Sequence, residues 1–227
     1  MFEELAHAYN GLVEHGPALR SLILVGAGLV AGWWVYVPAH ELLHAAGCWM
    51  GGGEVQTLQI QPRYGGHLIA ELLPFVSPEG DYAGRLIGFD TRGSDWTYAL
   101  TVMLPFLLGF PGFWAIGRSL GSRSAFVFGF GLPASLSPVL SVTGDFLEFS
   151  GIMLFQVWPG SAQGNRRLIT DDLFRLPGEF PTGAWTWDAV LFVVVAQVMA
   201  LILALLIVSV TSKVAGFEST RVGSRHG

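Results

Sequence analysis

The sequence predicts an all-α integral membrane protein of four to six transmembrane helices, with a small β-hairpin after a helix that carries a metal-binding motif. Composition is the first reason: of 227 residues, 52% are hydrophobic and only 13% charged, against about 25% charged in a typical soluble domain. The mean hydropathy of +0.52 agrees. The second reason is four stretches free of Asp, Glu, Lys and Arg, at 21–39, 96–117, 124–144 and 189–212, each close to the ~20 residues that cross a bilayer core. The third is the run His40-Glu41-Leu42-Leu43-His44, set in an apolar helical pattern where ionisable groups are costly unless they pair, bind metal or line water. One polytopic membrane domain over 1–227 is expected, since no segment is long and polar enough for a separate soluble domain.

Residues 1–19 mix Phe2, Leu5, Leu12 and Val13 with Glu3, Glu4, Glu14, His7 and His15, the pattern of an amphipathic helix on a membrane surface. With three Glu and no Lys or Arg in its first 16 residues, this end lacks the positive region of a secretory signal, and the first span is expected to be retained. That span starts at Ser21. Pro38 would kink it, but the apolar pattern runs on through HELLHAAGCWM until Gly51-Gly52-Gly53 ends it. From 54 to 69, polar and apolar residues alternate around Tyr64-Gly65-Gly66, a strand-turn-strand signal. The Pro- and Gly-rich piece at 70–95 reads as a loop or a re-entrant element buried in protein, with no regular structure assigned.

The second and third spans hold Pro105, Pro111, Pro133 and Pro138 and read as interrupted helices around a cavity. Residues 124–158 form one broken helix or two. The stretch 160–187, with Arg166, Arg167, Asp171, Asp172 and Arg175, reads as a solvated loop, and 189–212 as the cleanest span. Six Lys and Arg fall on each side of the alternating topology, so charge sets no orientation and names no particular membrane. Twelve basic against seventeen acidic residues, a net charge of −5 with no basic stripe, exclude nucleic acid as a main partner. The single cysteine, Cys48, excludes an intrachain disulfide and a multi-cysteine zinc site.

The five-residue run matches H-E-x-x-H. On a helix, the two imidazoles lie one turn apart, about 6 Å along the axis, and can bind one zinc. Glu41, beside the metal, is placed to take a proton from a water activated there, while zinc stabilises the developing oxyanion. A random arrangement of six His and ten Glu gives this motif in roughly 0.7% of chains of this composition. A catalytic zinc takes three protein ligands and keeps one position open. The candidate for the third is Asp145, in SVTGDFLEFSG at the end of a Pro-interrupted apolar run, with a helix cap or turn as its structural alternative. Glu148, one helical turn on, is the alternative ligand or a support for the site through hydrogen bonds. Cys48 stands eight residues from His40, about 12 Å of helix rise, and reads as packing. His67 reads as a surface or strand residue, and the tryptophans as an interfacial belt near span ends.

These residues resemble the site-2 protease family of intramembrane zinc metalloproteases, in which an HExxH helix is completed by an Asp from a later span. The likeness covers the first span through the alternating stretch, with His40, Glu41, His44 and the Gly51 to Gly53 turn in matching order. The later region departs from the family pattern: Phe146 rather than Gly follows Asp145, and no Asn is near. The resemblance implies zinc-dependent cleavage, within or near the bilayer, of a transmembrane or membrane-proximal segment of a membrane protein, with His40, His44 and Asp145 as ligands and Glu41 as general base. A non-catalytic membrane adaptor or chaperone that retains the metal site is the alternative. A transporter fits the broken helices but finds no repeat symmetry.

Overall fold

The computed structural model describes residues 5–6, 9–11, 17–158 and 186–215. Of the expected amphipathic start, only 5–6, 9–11 and 17–19 are described; the loop at 160–187 lies almost wholly outside the described residues. Four helical stretches, Ala18–Met50, Asp95–Ser122, Ala125–Leu154 and Trp187–Val214, are long and apolar enough to cross a membrane. They overlap the four charge-free runs. The chain divides into two compact units, Met1–Ser137 with Ser209–Gly227, and Pro138–Val208.

In the first unit, helix α1 (Ala18–Met50) follows Pro17 and passes through Pro38 without interruption. Its 33 residues rise about 50 Å, well beyond the ~30 Å of a hydrocarbon core. Its end is set by glycine: Gly52 adopts φ +85°, and the N–H groups of Gly51, Gly52 and Gly53 donate to the carbonyls of Gly47, Trp49 and Cys48.

The alternating stretch forms strand β1 (Glu54–Ile60), but not the expected hairpin. Gly65, at φ +83°, ends a 3-10 turn (Pro62–Tyr64), and helix α2 (Gly66–Leu72) follows where a return strand was anticipated. His67 is an exposed residue of that helix. The partners of β1 come from the segment left without regular structure. Strand β2 (Val76–Ser77) pairs with it in parallel, and β3 (Gly84–Asp90) antiparallel, from Glu54↔Asp90 to Ile60↔Gly84, giving the order β2-β1-β3. The cause is burial. Leu58 and Ile60 are fully buried with Ala45 of α1 and with Val76, and this apolar contact fixes which segment completes the sheet. The sheet thereby lies along the half of α1 that carries His40 and His44.

The second charge-free run is interrupted at Pro105 but not at Pro111, which lies within α4: it comprises α3 (Asp95–Met103), a 3-10 segment (Leu104–Leu108) and α4 (Gly109–Ser122). Ser94 caps α3, its hydroxyl accepting from the Thr97 N–H. Thr97 in turn donates through its hydroxyl to the Gly51 carbonyl at 2.6 Å, tying the end of α1 to the start of α3. Helix α5 (Ala125–Leu140) runs through Pro133 and Pro138 as one α-helix. Two glycines of α1 let α5 approach at backbone distance: a Cβ at Gly28 would stand 2.1 Å from the Phe126 carbonyl oxygen, and one at Gly32 2.3 Å from that of Phe130. Small residues at such crossings let helix backbones approach closely.

In the second unit, a turn at 141–144 leads into α6 (Asp145–Phe155), so 124–158 contains two helices. Helix α7 (Trp187–Val214) packs on α6 through Phe192 and Ala196 against Leu147 and Leu154. Gln197 donates to the Val142 carbonyl at 3.0 Å, holding the turn that precedes α6.

Candidate metal centre

His40 and His44 project from α1 one turn apart, and their Nε2 atoms converge to 3.0 Å. The other nitrogen of each ring is held from behind. His44 Nδ1 lies 2.7 Å from the Thr101 carbonyl of α3, and His40 Nδ1 lies 2.7 Å from the Tyr36 hydroxyl. A carbonyl only accepts, so His44 Nδ1 is the donor of this bond. The Thr101 carbonyl is available because the residue four positions on is Pro105, which has no N–H to offer it. The proline that interrupts the helix thus releases the acceptor that orients a histidine. The 3-10 segment begun by that proline also brings the buried Phe106 ring to 6.1 Å from His40.

Two imidazoles ligating one zinc at about 2.05 Å with tetrahedral angles would place their nitrogens about 3.3 Å apart. The 3.0 Å separation needs only a few tenths of an ångström of opening. The donor chemistry and the outward anchoring of both Nδ1 atoms therefore fit a zinc ion.

Glu41 is half-buried and lies against β3. A Cβ at Gly84 would meet its Cγ at 2.2 Å and its Cδ at 2.7 Å, so the glutamate stem occupies the space a side chain at 84 would fill. Cys48 is buried, its thiol directed at the Glu54 and Asp90 carbonyls at 3.6 and 4.0 Å, as expected for packing. Trp33 and Trp34 sit in the middle of α1 rather than at its ends, their indole N–H groups donating to the Tyr64 hydroxyl and the Arg63 carbonyl.

Asp145 and Glu148 both stand half-buried in the first turn of α6, where the helix dipole favours a carboxylate. The N-cap position belongs to Gly144, with no side-chain capping bond, so Asp145 is not the cap residue. Leu147, buried with Leu154, Phe192 and Ala196, ties this turn to the rest of the second unit.

Sequence reasoning missed three parts of the site. Tyr36 was within reach of it, being one helical turn from His40 on the same face. The Thr101 carbonyl and Gly84 were not, because 57 and 43 residues of chain separate them from His44 and Glu41. Comparison with known proteins finds no matching family, curated protein or solved structure.

Proposed function

We propose that this chain is an intramembrane zinc metalloprotease that cleaves a transmembrane or membrane-proximal segment of a membrane protein. The observation that carries this reading is the convergence of His40 and His44 Nε2 on an apolar helix, with a glutamate between them in sequence. Asp145, the carboxylate nominated from the sequence, is the third ligand of this proposal beside His40 and His44. Such a set leaves one position of a four-coordinate zinc for water or substrate. Glu148 is the other carboxylate to be tested in that role.

When bound, zinc supplies acidity to a water molecule and polarises the carbonyl under attack. Glu41 takes the proton of that water and returns it to the leaving amine. A transmembrane helix conceals its peptide bonds in its own hydrogen bonds and must be unwound locally before it can be cut. An unwound segment can pair with a sheet edge. The hairpin edge expected from the sequence does not serve, because β1 is the central strand; β3 is an edge strand and touches Glu41 through Gly84. The substrate is therefore assigned to β3, and cleavage that survives proline substitutions along that strand would remove this part of the proposal.

The test is zinc content and cleavage, in proteoliposomes, of transmembrane peptides bearing a fluorophore and a quencher. Wild type should hold about one zinc per chain, lost in His40→Ala/His44→Ala. Glu41→Gln should retain the zinc and lose turnover. A Glu41→Gln variant that still cleaves excludes the base role, and a zinc-loaded wild type with no cleavage of any membrane segment favours a non-catalytic adaptor.

A further inference from the structure

Tyr36 precedes His40 by one turn of α1, with both side chains buried and the hydroxyl 2.7 Å from Nδ1. The geometry points to Tyr36 as the positioning residue of the metal centre: its hydroxyl oxygen is placed to accept from the Nδ1–H of His40, which leaves Nε2 aimed at a cation. This rests on the metal-binding reading above.

The two histidines are anchored by different groups. His44 is held by a carbonyl, which fixes one tautomer. A second carbonyl at His40 would set two bare Nε2 atoms 3.0 Å apart, lone pair against lone pair, whenever no cation lay between them. A hydroxyl both donates and accepts. With no cation bound, the same hydroxyl can donate to Nδ1 instead, so one group serves both directions of this bond. With a cation held at Nε2, His40 would carry its proton at Nδ1 and donate it to the phenol oxygen.

Without the hydroxyl, the metal-bound state would bury an N–H deprived of this acceptor, while the metal-free state would lose only a donor. The loss therefore falls on metal affinity. Hydrogen-bond partners of ligating histidines typically contribute 10–100-fold to that affinity.

Wild type, Tyr36→Phe and Trp33→Phe are titrated with Zn2+ against a chelator of known affinity, with metal-free melting curves alongside. Trp33 packs on the Tyr36 ring with centroids 5.6 Å apart, so its substitution disturbs packing and leaves the hydroxyl in place. The expected result is a 10–100-fold loss of zinc affinity in Tyr36→Phe and none in Trp33→Phe. Equal affinity in wild type and Tyr36→Phe overturns the assignment, as does an equal loss in both variants. A wild type that binds no zinc overturns the metal reading itself, a distinguishable outcome. Should Tyr36→Phe fail to fold, 15N NMR of histidine-labelled, zinc-loaded wild type decides. A proton on His40 Nδ1 supports the assignment, and metal at Nδ1 refutes it.

Discussion

Replacing Gly84 by alanine should displace Glu41, the proposed general base, without disturbing the proposed ligands His40 and His44. The added Cβ would be 2.2 Å from Glu41 Cγ, where carbon atoms in contact stand about 3.5–4.0 Å apart. More than 1 Å of movement is therefore needed, and neither backbone can easily supply it. Strand β3 is held in register by Ile60↔Gly84, and α1 meets α3 at backbone distance, a Cβ at Gly47 falling 2.3 Å from the Leu100 carbonyl oxygen. The Glu41 side chain must move instead. Misplacing a catalytic group by about 1 Å can cost on the order of 100-fold in rate. Gly84 has no positive φ, so alanine brings no backbone penalty of its own. The assay is the initial rate of cleavage of a reconstituted transmembrane peptide, with zinc measured on the same samples. A drop of about 100-fold at unchanged zinc is expected; wild-type turnover in Gly84→Ala would refute the claim that β3 sets the position of Glu41.

Further outcomes follow from the same geometry. If Asp145 is the third ligand, Asp145→Asn should lower zinc affinity far more than Glu148→Gln, and competition with a chelator reads the order directly; the reverse order assigns Glu148. Gly32→Val places a branched side chain where even a Cβ would be 2.3 Å from the Phe130 carbonyl oxygen. Overpacking of this kind costs about 1–3 kcal/mol, to be seen as a lower melting temperature in detergent, whereas Gly26→Val, with nothing within 4 Å of its Cβ, should melt like wild type.

The parts of this protein legible in its sequence are those that depend on neighbours along the chain. Four apolar runs became four helical stretches long and apolar enough to cross a membrane, because length and composition are properties of the local sequence. His40 and His44 meet because 3.6 residues make a turn, and Gly51-Gly52-Gly53 ends the helix because Gly52 takes a left-handed conformation. Pro105 announced an interruption, though not its use.

Tertiary structure decided the rest. The stretch after Gly65 carries residues compatible with either strand or helix, and β1 took its partners from 76–77 and 84–90, because burying Leu58 and Ile60 against Ala45 outweighs local alternation. That pairing sets Gly84 on Glu41, and the crossing of α1 with α3 sets a carbonyl behind His44. Local spacing could nominate the ligands and the base, but the groups that orient them come from segments brought close only by folding, where a backbone carbonyl or a missing Cβ leaves no mark in the local sequence pattern.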